Sequence, residues 1–266
     1  MSLSLHPVTD LRTLLDLEVV KPDAFLGVGP VLGWGRIYGG QVVAQALAAA
    51  GRTVDAAFHP HSLHAYFVRA GDEHKPVLYE VDRVRDGRSF CTRQVVAYQE
   101  GGAILNLIAS FQVHEDADDV QSVVMPTVPA PESLERIPHD TFLEHRVAMF
   151  ERSPVAHAQT WLRTSETLDT DPMLHACALA YLSDEDMLGV GLISHPLGGQ
   201  WDDLMTASLD HAIWFHRPLR ADDWLLFDID GHGVANARGL SLARVFDRSG
   251  VHVASIAQEA LGRRRR

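Results

Sequence analysis

Residues 66–112 read YFVRAGDEHKPVLYEVDRVRDGRSFCTRQVVAYQEGGAILNLIASFQ, and residues 214–260 read WFHRPLRADDWLLFDIDGHGVANARGLSLARVFDRSGVHVASIAQEA. The two stretches align without a gap at a constant offset of 148 residues, with identities from Phe67 and Phe215 to Ala109 and Ala257. The apolar positions between these identities are also kept. A gapless match of this length predicts one supersecondary plan used twice, as two small domains rather than a solenoid.

Each copy follows a helical segment and contains several strands. The segment 39–50 is alanine-rich and apolar nearly all round, which predicts a buried helix closed by Gly51. Alternating apolar residues and turn signals predict strands at 61–68, 76–85, 89–99 and 103–114 in the first half. In the second half they predict a strand at 159–167, an amphipathic helix at 172–190, a loop at 191–206, and strands at 209–216, 224–233, 237–247 and 252–261.

A long helix wrapped by an antiparallel sheet, built twice, is a tandem (double) hot-dog fold of the α+β class. We expect the sheet to be continuous across the halves and the two helices to pack face to face. An acidic run at 115–119 and four prolines between 126 and 138 indicate a linker. The predicted division is therefore an N-terminal hot-dog over 1–115, a linker over 116–140, and a C-terminal hot-dog over 141–266.

The composition excludes several classes of protein. The chain has 23 Lys and Arg against 35 Asp and Glu, a formal charge of −12, which argues against a nucleic-acid or anionic-membrane surface. Two cysteines provide no disulfide framework. The N-terminus lacks the pattern of a secretory signal, and no run of 18 apolar residues spans a membrane. We therefore expect a cytoplasmic protein.

The repeat also indicates where one half carries polar groups that its fold does not need. At the offset of 148, Asp210 lies over Ser62, His232 over Val84, and Gln258 over Ser110. Asp210 stands in an apolar stretch, where an unpartnered carboxylate is costly to bury, so a functional role is favoured. The structural alternative is that Asp210 caps a strand or pairs with Arg217.

Five motifs are similar to those of the type II acyl-CoA thioesterases, the TesB-like double hot-dog enzymes. They are RIYGGQVVAQAL at 36–47, DGRSF at 86–90, LDHAIWFHRP at 209–218, ARG at 237–239 and VASIAQE at 253–259. The resemblance implies that an Asp, a Thr or Ser, and a Gln hold and activate the water that attacks the thioester. The Asp falls on Asp210 and the Gln on Gln258.

The third position departs from the family pattern, because His232 stands where the family has Thr or Ser. An imidazole can accept or donate a hydrogen bond to water, so His232 is the third predicted site residue. Asn236 is the alternative if the local register shifts. The resemblance further implies acyl-CoA as the substrate and a homo-oligomer, either a dimer or a tetramer.

Thioester hydrolysis at such a site is chemically reasonable. A carboxylate can act as general base on a water held by the glutamine, while N–H groups at a helix N-terminus receive the oxyanion. The runner-up is an acyl-CoA-binding hot-dog protein whose hydrolysis has decayed with the loss of the hydroxyl. A hot-dog hydratase is disfavoured because no helix carries a suitable Asp/His pair.

Other motifs are given structural interpretations. The 15 histidines include metal-like spacings at His59, His61 and His64 and at His211 and His216. Paired cysteines and a His-Glu-x-x-His helix are missing, so we predict no metal and no cofactor. The glycines at 27–35 do not have dinucleotide-loop spacing. The arginines at 263–266 are interpreted as a solvated tail.

Overall fold

The computed structural model describes residues 8–139, 142–152, 156–196 and 198–265. Most of the N-terminal segment tested for a signal, Asp140 of the predicted linker and Arg266 of the tail lie outside these residues. The helices are α1 (Leu11–Leu15), α2 (Gly39–Gly51), α3 (Pro172–Leu182) and α4 (Met187–Leu192). The strands are β1 (Glu18–Lys21), β2 (Ala24–Gly27), β3 (Phe58–Phe67), β4 (Val77–Asp86), β5 (Phe90–Gln99), β6 (Gly102–Val113), β7 (Leu143–Glu151), β8 (Ala156–Thr164), β9 (Leu204–Ser208), β10 (Asp210–Phe215), β11 (Leu225–Ala235), β12 (Arg238–Phe246) and β13 (His252–Arg264).

All of these strands join one antiparallel sheet. Its order is β1-β2-β4-β5-β6-β3-β10-β13-β12-β11-β8-β7. The remaining strand, β9, pairs with residues 260–264 at the end of β13. The two halves meet where β3 pairs with β10, from Asp210 opposite Tyr66 to Trp214 opposite Ser62. The predicted double hot-dog fold with a continuous sheet is confirmed. Among the described residues, no helix is long and apolar enough to cross a membrane.

The helices α2 and α3 pack against each other, and α2 and α4 pack against strands of the sheet. Residues 40–50 of α2 are all buried, and all of them except Gln41 and Gln45 are small or apolar. The N-terminus of α2 meets the C-terminus of α3 at such close range that a Cβ on Gly40 would lie 2.4 Å from the Tyr181 carbonyl oxygen. The Tyr38 hydroxyl donates to the same oxygen at 2.9 Å. This contact places the start of α2 against the end of α3.

The predicted single helix at 172–190 is wrong, because the chain forms two helices separated by a turn at 183–186. The Ser183 N–H still bonds to the Leu179 carbonyl oxygen at 2.8 Å, as in an α-helix, but the Glu185 N–H bonds only three residues back, to the Leu182 carbonyl oxygen at 3.1 Å. Asp186 then adopts a left-handed conformation with φ 60°, which an α-helix does not allow. The turn carries three consecutive acids, Asp184, Glu185 and Asp186.

The gapless offset of 148 is also wrong in the last strand. It holds where Leu78 pairs with Tyr98 and Leu226 with Phe246. In the first half, however, His64 lies opposite Ile108, whereas its counterpart Ala212 lies opposite Ala257 rather than Ile256. The turn before β13 is one residue longer, so the offset becomes 149. Because a one-residue slip in a strand reverses its faces, the counterpart of Gln258 is Ala109, not Ser110.

Candidate active site

Gln258 lies at the centre of a buried polar cluster between the sheet and the helices. Its side chain has no exposed surface. The amide Oε1 is 2.5 Å from Nδ1 of His211 on the neighbouring strand, and the amide Nε2 donates to the Ser208 hydroxyl at 3.0 Å. Both ends of the amide are therefore held, and its orientation is fixed.

His211 connects this amide to the end of α3. Its Nε2 atom lies 2.7 Å from the Ser183 hydroxyl. Burial lowers the pKa of His211 to about 4, although the hydrogen bond to Gln258 favours the charged form. At neutral pH the ring is therefore neutral, with one nitrogen donating and the other accepting.

Asp184 brings a carboxylate to the N-terminus of α2. Its Oδ2 accepts a hydrogen bond from the Gly40 N–H at 3.0 Å. Its Oδ1 is buried and has no hydrogen-bond partner of normal geometry among the described residues. Burial raises the pKa of Asp184 to about 7, although the nearby Gln258 amide and the Gly40 N–H oppose the rise. The cluster thus places a carboxylate, an amide and helix N–H groups together.

Among the described residues of the first half there is no equivalent of this cluster. The counterparts of His211 and Gln258 are Leu63 and Ala109, which are equally buried. The hot-dog plan therefore builds this part of its core from apolar side chains alone. Polar groups cost free energy when buried, so their presence in only one copy indicates a role other than folding.

Asp210 lies at the edge of the cluster. With Leu209 it forms a bulge opposite Glu259, and its Oδ1 accepts from the Glu259 N–H at 2.7 Å. His211 and Gln258 are fully buried, whereas Asp210 and Glu259 are partly exposed. Burial raises the pKa of Asp210, although the Glu259 N–H opposes this. Arg217, the partner in the structural alternative, pairs with Asp119 instead.

His232 is separated from Asp210 by two strands, β13 and β12. It lies in a bulge between Gly231 and Val234, and its side chain is exposed. Asn236, the alternative, lies in the turn that follows, with φ 50°. The structure thus places Asp210 and Gln258 on paired strands and holds His232 apart from them.

Sequence reasoning did not single out Ser208 or Asp184, and it noted His211 only for its metal-like spacing to His216. His211 follows Asp210 in the same motif, and its apolar counterpart Leu63 was visible at the offset of 148. Asp184 stood inside a segment predicted as continuous helix, where an acid reads as a solvated side chain. Its burial follows from the break in that helix.

The chain matches two family profiles. The profile described as acyl-CoA thioesterase matches residues 135–261, and that of the acyl-CoA thioesterase N-terminal domain matches residues 30–112. Human acyl-coenzyme A thioesterase 8 is 37% identical over 293 residues, covering 96% of this chain and 91% of the relative. Acyl-CoA thioesterase 2 of Haemophilus influenzae is 32% identical over 281 residues, covering 96% and 97%.

A solved structure has the same architecture. Acyl-CoA thioesterase II TesB2 from Mycobacterium marinum superposes with a TM-score of 0.85 at 37% identity, covering 96% of this chain and 97% of that one. Fold, profiles and relatives agree over nearly the whole length. The chain therefore belongs to the type II acyl-CoA thioesterases, the TesB-like thioester hydrolases with a double hot-dog fold.

Proposed function

We propose that this chain hydrolyses acyl-CoA to free CoA and a carboxylic acid by direct attack of water beside Gln258. The observation that carries the proposal is the buried Gln258 cluster, because the first-half counterparts of His211 and Gln258 are the apolar residues Leu63 and Ala109. The water oxygen bonds to the thioester carbonyl carbon, and the carbon–sulfur bond then breaks. A carboxylate takes the proton from the water and returns it to the departing thiolate sulfur.

Gln258 orients the attacking water in this proposal. Neutral His211 holds the Gln258 amide oxygen, so the amide nitrogen faces Ser208 and the end of α3. A fixed amide dipole costs no reorganisation when charge develops in the transition state. The Gly40 N–H is taken by Asp184 Oδ2, so it is the positive end of the α2 dipole, rather than this N–H group, that we propose for stabilising the oxyanion.

Asp210 is proposed as the general base. The family resemblance assigns it, and burial raises its pKa toward the range in which a carboxylate accepts protons efficiently. Its hydrogen bond to Glu259 anchors it to the residue that follows Gln258. Asp184 is the second carboxylate near Gln258, and we propose that it positions the start of α2 rather than taking the proton.

The role of His232 as the third water-binding residue stays a prediction from the sequence. Its exposed position beyond β12 gives this assignment less support than that of Gln258. The proposal for hydrolysis therefore rests on Asp210 and Gln258. A cytoplasmic location, the domain boundaries and assembly into a dimer or tetramer remain predictions from the sequence.

The decisive experiment is a thiol-release assay with short, medium and long acyl-CoAs. We expect catalytic release of CoA by the wild type, and a fall in kcat of about two to four orders of magnitude for Asp210→Asn, the range for losing a general base. Asp119→Asn is the control, since it changes an exposed aspartate paired with Arg217.

Two results would redirect the proposal. Binding of acyl-CoA without thiol release would favour the decayed, binding-only alternative. A large fall for Asp184→Asn, together with normal turnover for Asp210→Asn, would move the base to Asp184. Both substitutions exchange one oxygen for nitrogen and so preserve the size of the side chain. A circular dichroism spectrum of each variant checks that it is folded.

A further inference from the structure

A group of metal-binding side chains lies in the second half, outside the Gln258 cluster. His139 precedes β7, His145 lies on β7, and Glu185 lies in the turn between α3 and α4. One ligand atom from each of the three residues lies within 4.8 Å of the other two. The His139 and His145 rings are 5.7 Å apart, and His139 Nε2 is 3.2 Å from the Glu185 carboxylate.

His145 is the most informative member, because its exposed fraction is 4%. Its Nε2 lies 3.0 Å from Oδ2 of Asp186. Neither ring nitrogen, however, makes a hydrogen bond of normal geometry among the described residues. An ion pair with Asp186 accounts for Nε2, and no described residue partners the buried Nδ1, a situation that native proteins rarely tolerate.

The turn at 183–186 directs its three acids to three different groups. Asp184 accepts from Gly40, Glu185 contacts His139, and Asp186 faces His145. Asp186 reaches this position with φ 60°, a conformation uncommon for residues other than glycine. A local strain that aims a carboxylate at a buried imidazole is typical of a functional arrangement.

We propose that His139, His145 and Glu185 bind one divalent transition-metal ion of the zinc class. Two imidazoles and one carboxylate form a donor set that zinc uses, with water in the fourth position. His145 would bind through Nδ1 while Asp186 orients the ring from Nε2, as carboxylates do behind metal-binding histidines. The ion would tie the segment before β7 to the turn that carries Asp184.

The competing explanation is that His139 pairs with Glu185, His145 pairs with Asp186, and no metal binds. The two explanations differ in stoichiometry and in their response to substitution. A site built from these residues binds one ion per chain and loses it when any one ligand is removed. Ion pairs alone give no saturable binding at this position.

The test is zinc titration of the full-length chain, stripped with a chelator and dialysed, by isothermal calorimetry. We expect one Zn²⁺ per chain, and at least about a hundredfold weaker binding for His145→Ala and Glu185→Gln, since ligand loss exceeds the effect of losing an outer-shell partner. His157→Ala is the control, because it removes another partly buried histidine that contacts a carboxylate, Asp228, at 2.8 Å.

A second measurement uses Co²⁺ as a spectroscopic probe. We expect the visible absorption of a four-coordinate Co²⁺ site in the wild type and in His157→Ala, and its loss in Glu185→Gln, which preserves the size of the side chain. Absence of zinc binding, or equal affinity in wild type and both ligand variants, would overturn the proposal. Metal binding is measured without substrate, so this result stands apart from the outcome of the thiol-release assay.

Discussion

The burial of His211 makes the stability of the fold depend on pH. The side chain has no exposed surface, and burial lowers its pKa from 6.5 to about 4, against the hydrogen bond to Gln258. In the unfolded chain the imidazole takes up a proton near pH 6.5. Between pH 6.5 and about 4 the unfolded state therefore binds one more proton than the folded state at this residue. The contribution of His211 to the free energy of unfolding must fall as the pH is lowered through this interval.

The size of the effect follows from the same interval. Each pH unit between the two pKa values corresponds to about 1.4 kcal/mol, so the full interval corresponds to about 3 kcal/mol. This is a large part of the 5–15 kcal/mol that stabilises a typical domain. Below about pH 4 the histidine is charged in both states, and no further loss arises from it.

The variant His211→Asn isolates this contribution, because asparagine cannot titrate and can still hydrogen-bond to Gln258. Urea unfolding followed by tryptophan fluorescence gives the free energy of unfolding of both proteins at several pH values. At neutral pH we expect the variant to be less stable by about 1 kcal/mol for the lost contact with Ser183. On acidification the wild type should lose stability faster than the variant, until the difference reverses sign.

The control is His74→Asn, which removes an exposed histidine from the first half. Its curve against pH should run parallel to that of the wild type. If the His211→Asn curve is also parallel between pH 6.5 and 4, the imidazole is not held neutral in the folded state. The assignment of His211 as a neutral donor to Gln258 would then be wrong.

Three further predictions concern single residues. Gly40→Ala should destabilise the fold by about 1–3 kcal/mol, because the new Cβ would lie 2.4 Å from the Tyr181 carbonyl oxygen. The control Gly189→Ala should not destabilise it, because its Cβ would have no atom within 4 Å. Equal melting temperatures of the two variants would contradict this prediction. Activity should fall as the pH is lowered through the raised pKa of Asp210, since this residue accepts a proton only in its ionised form. Asp210→Asn should abolish that dependence in a profile of kcat against pH. His232→Ala should keep kcat within a few-fold of wild type, given its exposed side chain, and a hundredfold loss would restore the water-binding role that the sequence suggested.

The sequence was sufficient for the fold because the repeat fixes periodicity and order together. A helix was predicted at 39–50 and lies at Gly39–Gly51, and the four strands predicted in the first half lie within a few residues of β3 to β6. The short strands β1 and β2 were not predicted. β7 was missed because its burial pattern does not alternate cleanly and its sequence carries several charges. The helix break at 183–186 was missed because apolar spacing continues across it, while the bend depends on the conformation of Asp186.

The candidate site was harder to predict because it depends on strand register. Gln258 was singled out by comparison with Ser110, yet its counterpart in the sheet is Ala109. The comparison selected Gln258 because either counterpart lacks an amide, although the register was wrong by one residue. Sequence alignment weighs identities such as Ile108 and Ile256, whereas the sheet aligns residues by the face on which they lie. The two criteria give different counterparts for β13 because the turn before it is one residue longer than the turn before β6.

The corrected register strengthens the functional interpretation of Gln258. If the counterpart of Gln258 in the first half were Ser110, which is partly exposed, the glutamine would be an ordinary surface difference between the two copies. Because its counterpart is Ala109, Gln258 places an amide where the first half buries a methyl group. Burying that amide requires His211 and Ser208 as partners, and their counterparts Leu63 and Pro60 are apolar as well. Three coordinated replacements of apolar by polar residues, confined to one half and centred on one side chain, are not expected from packing alone, because each by itself would leave a buried polar group without a partner.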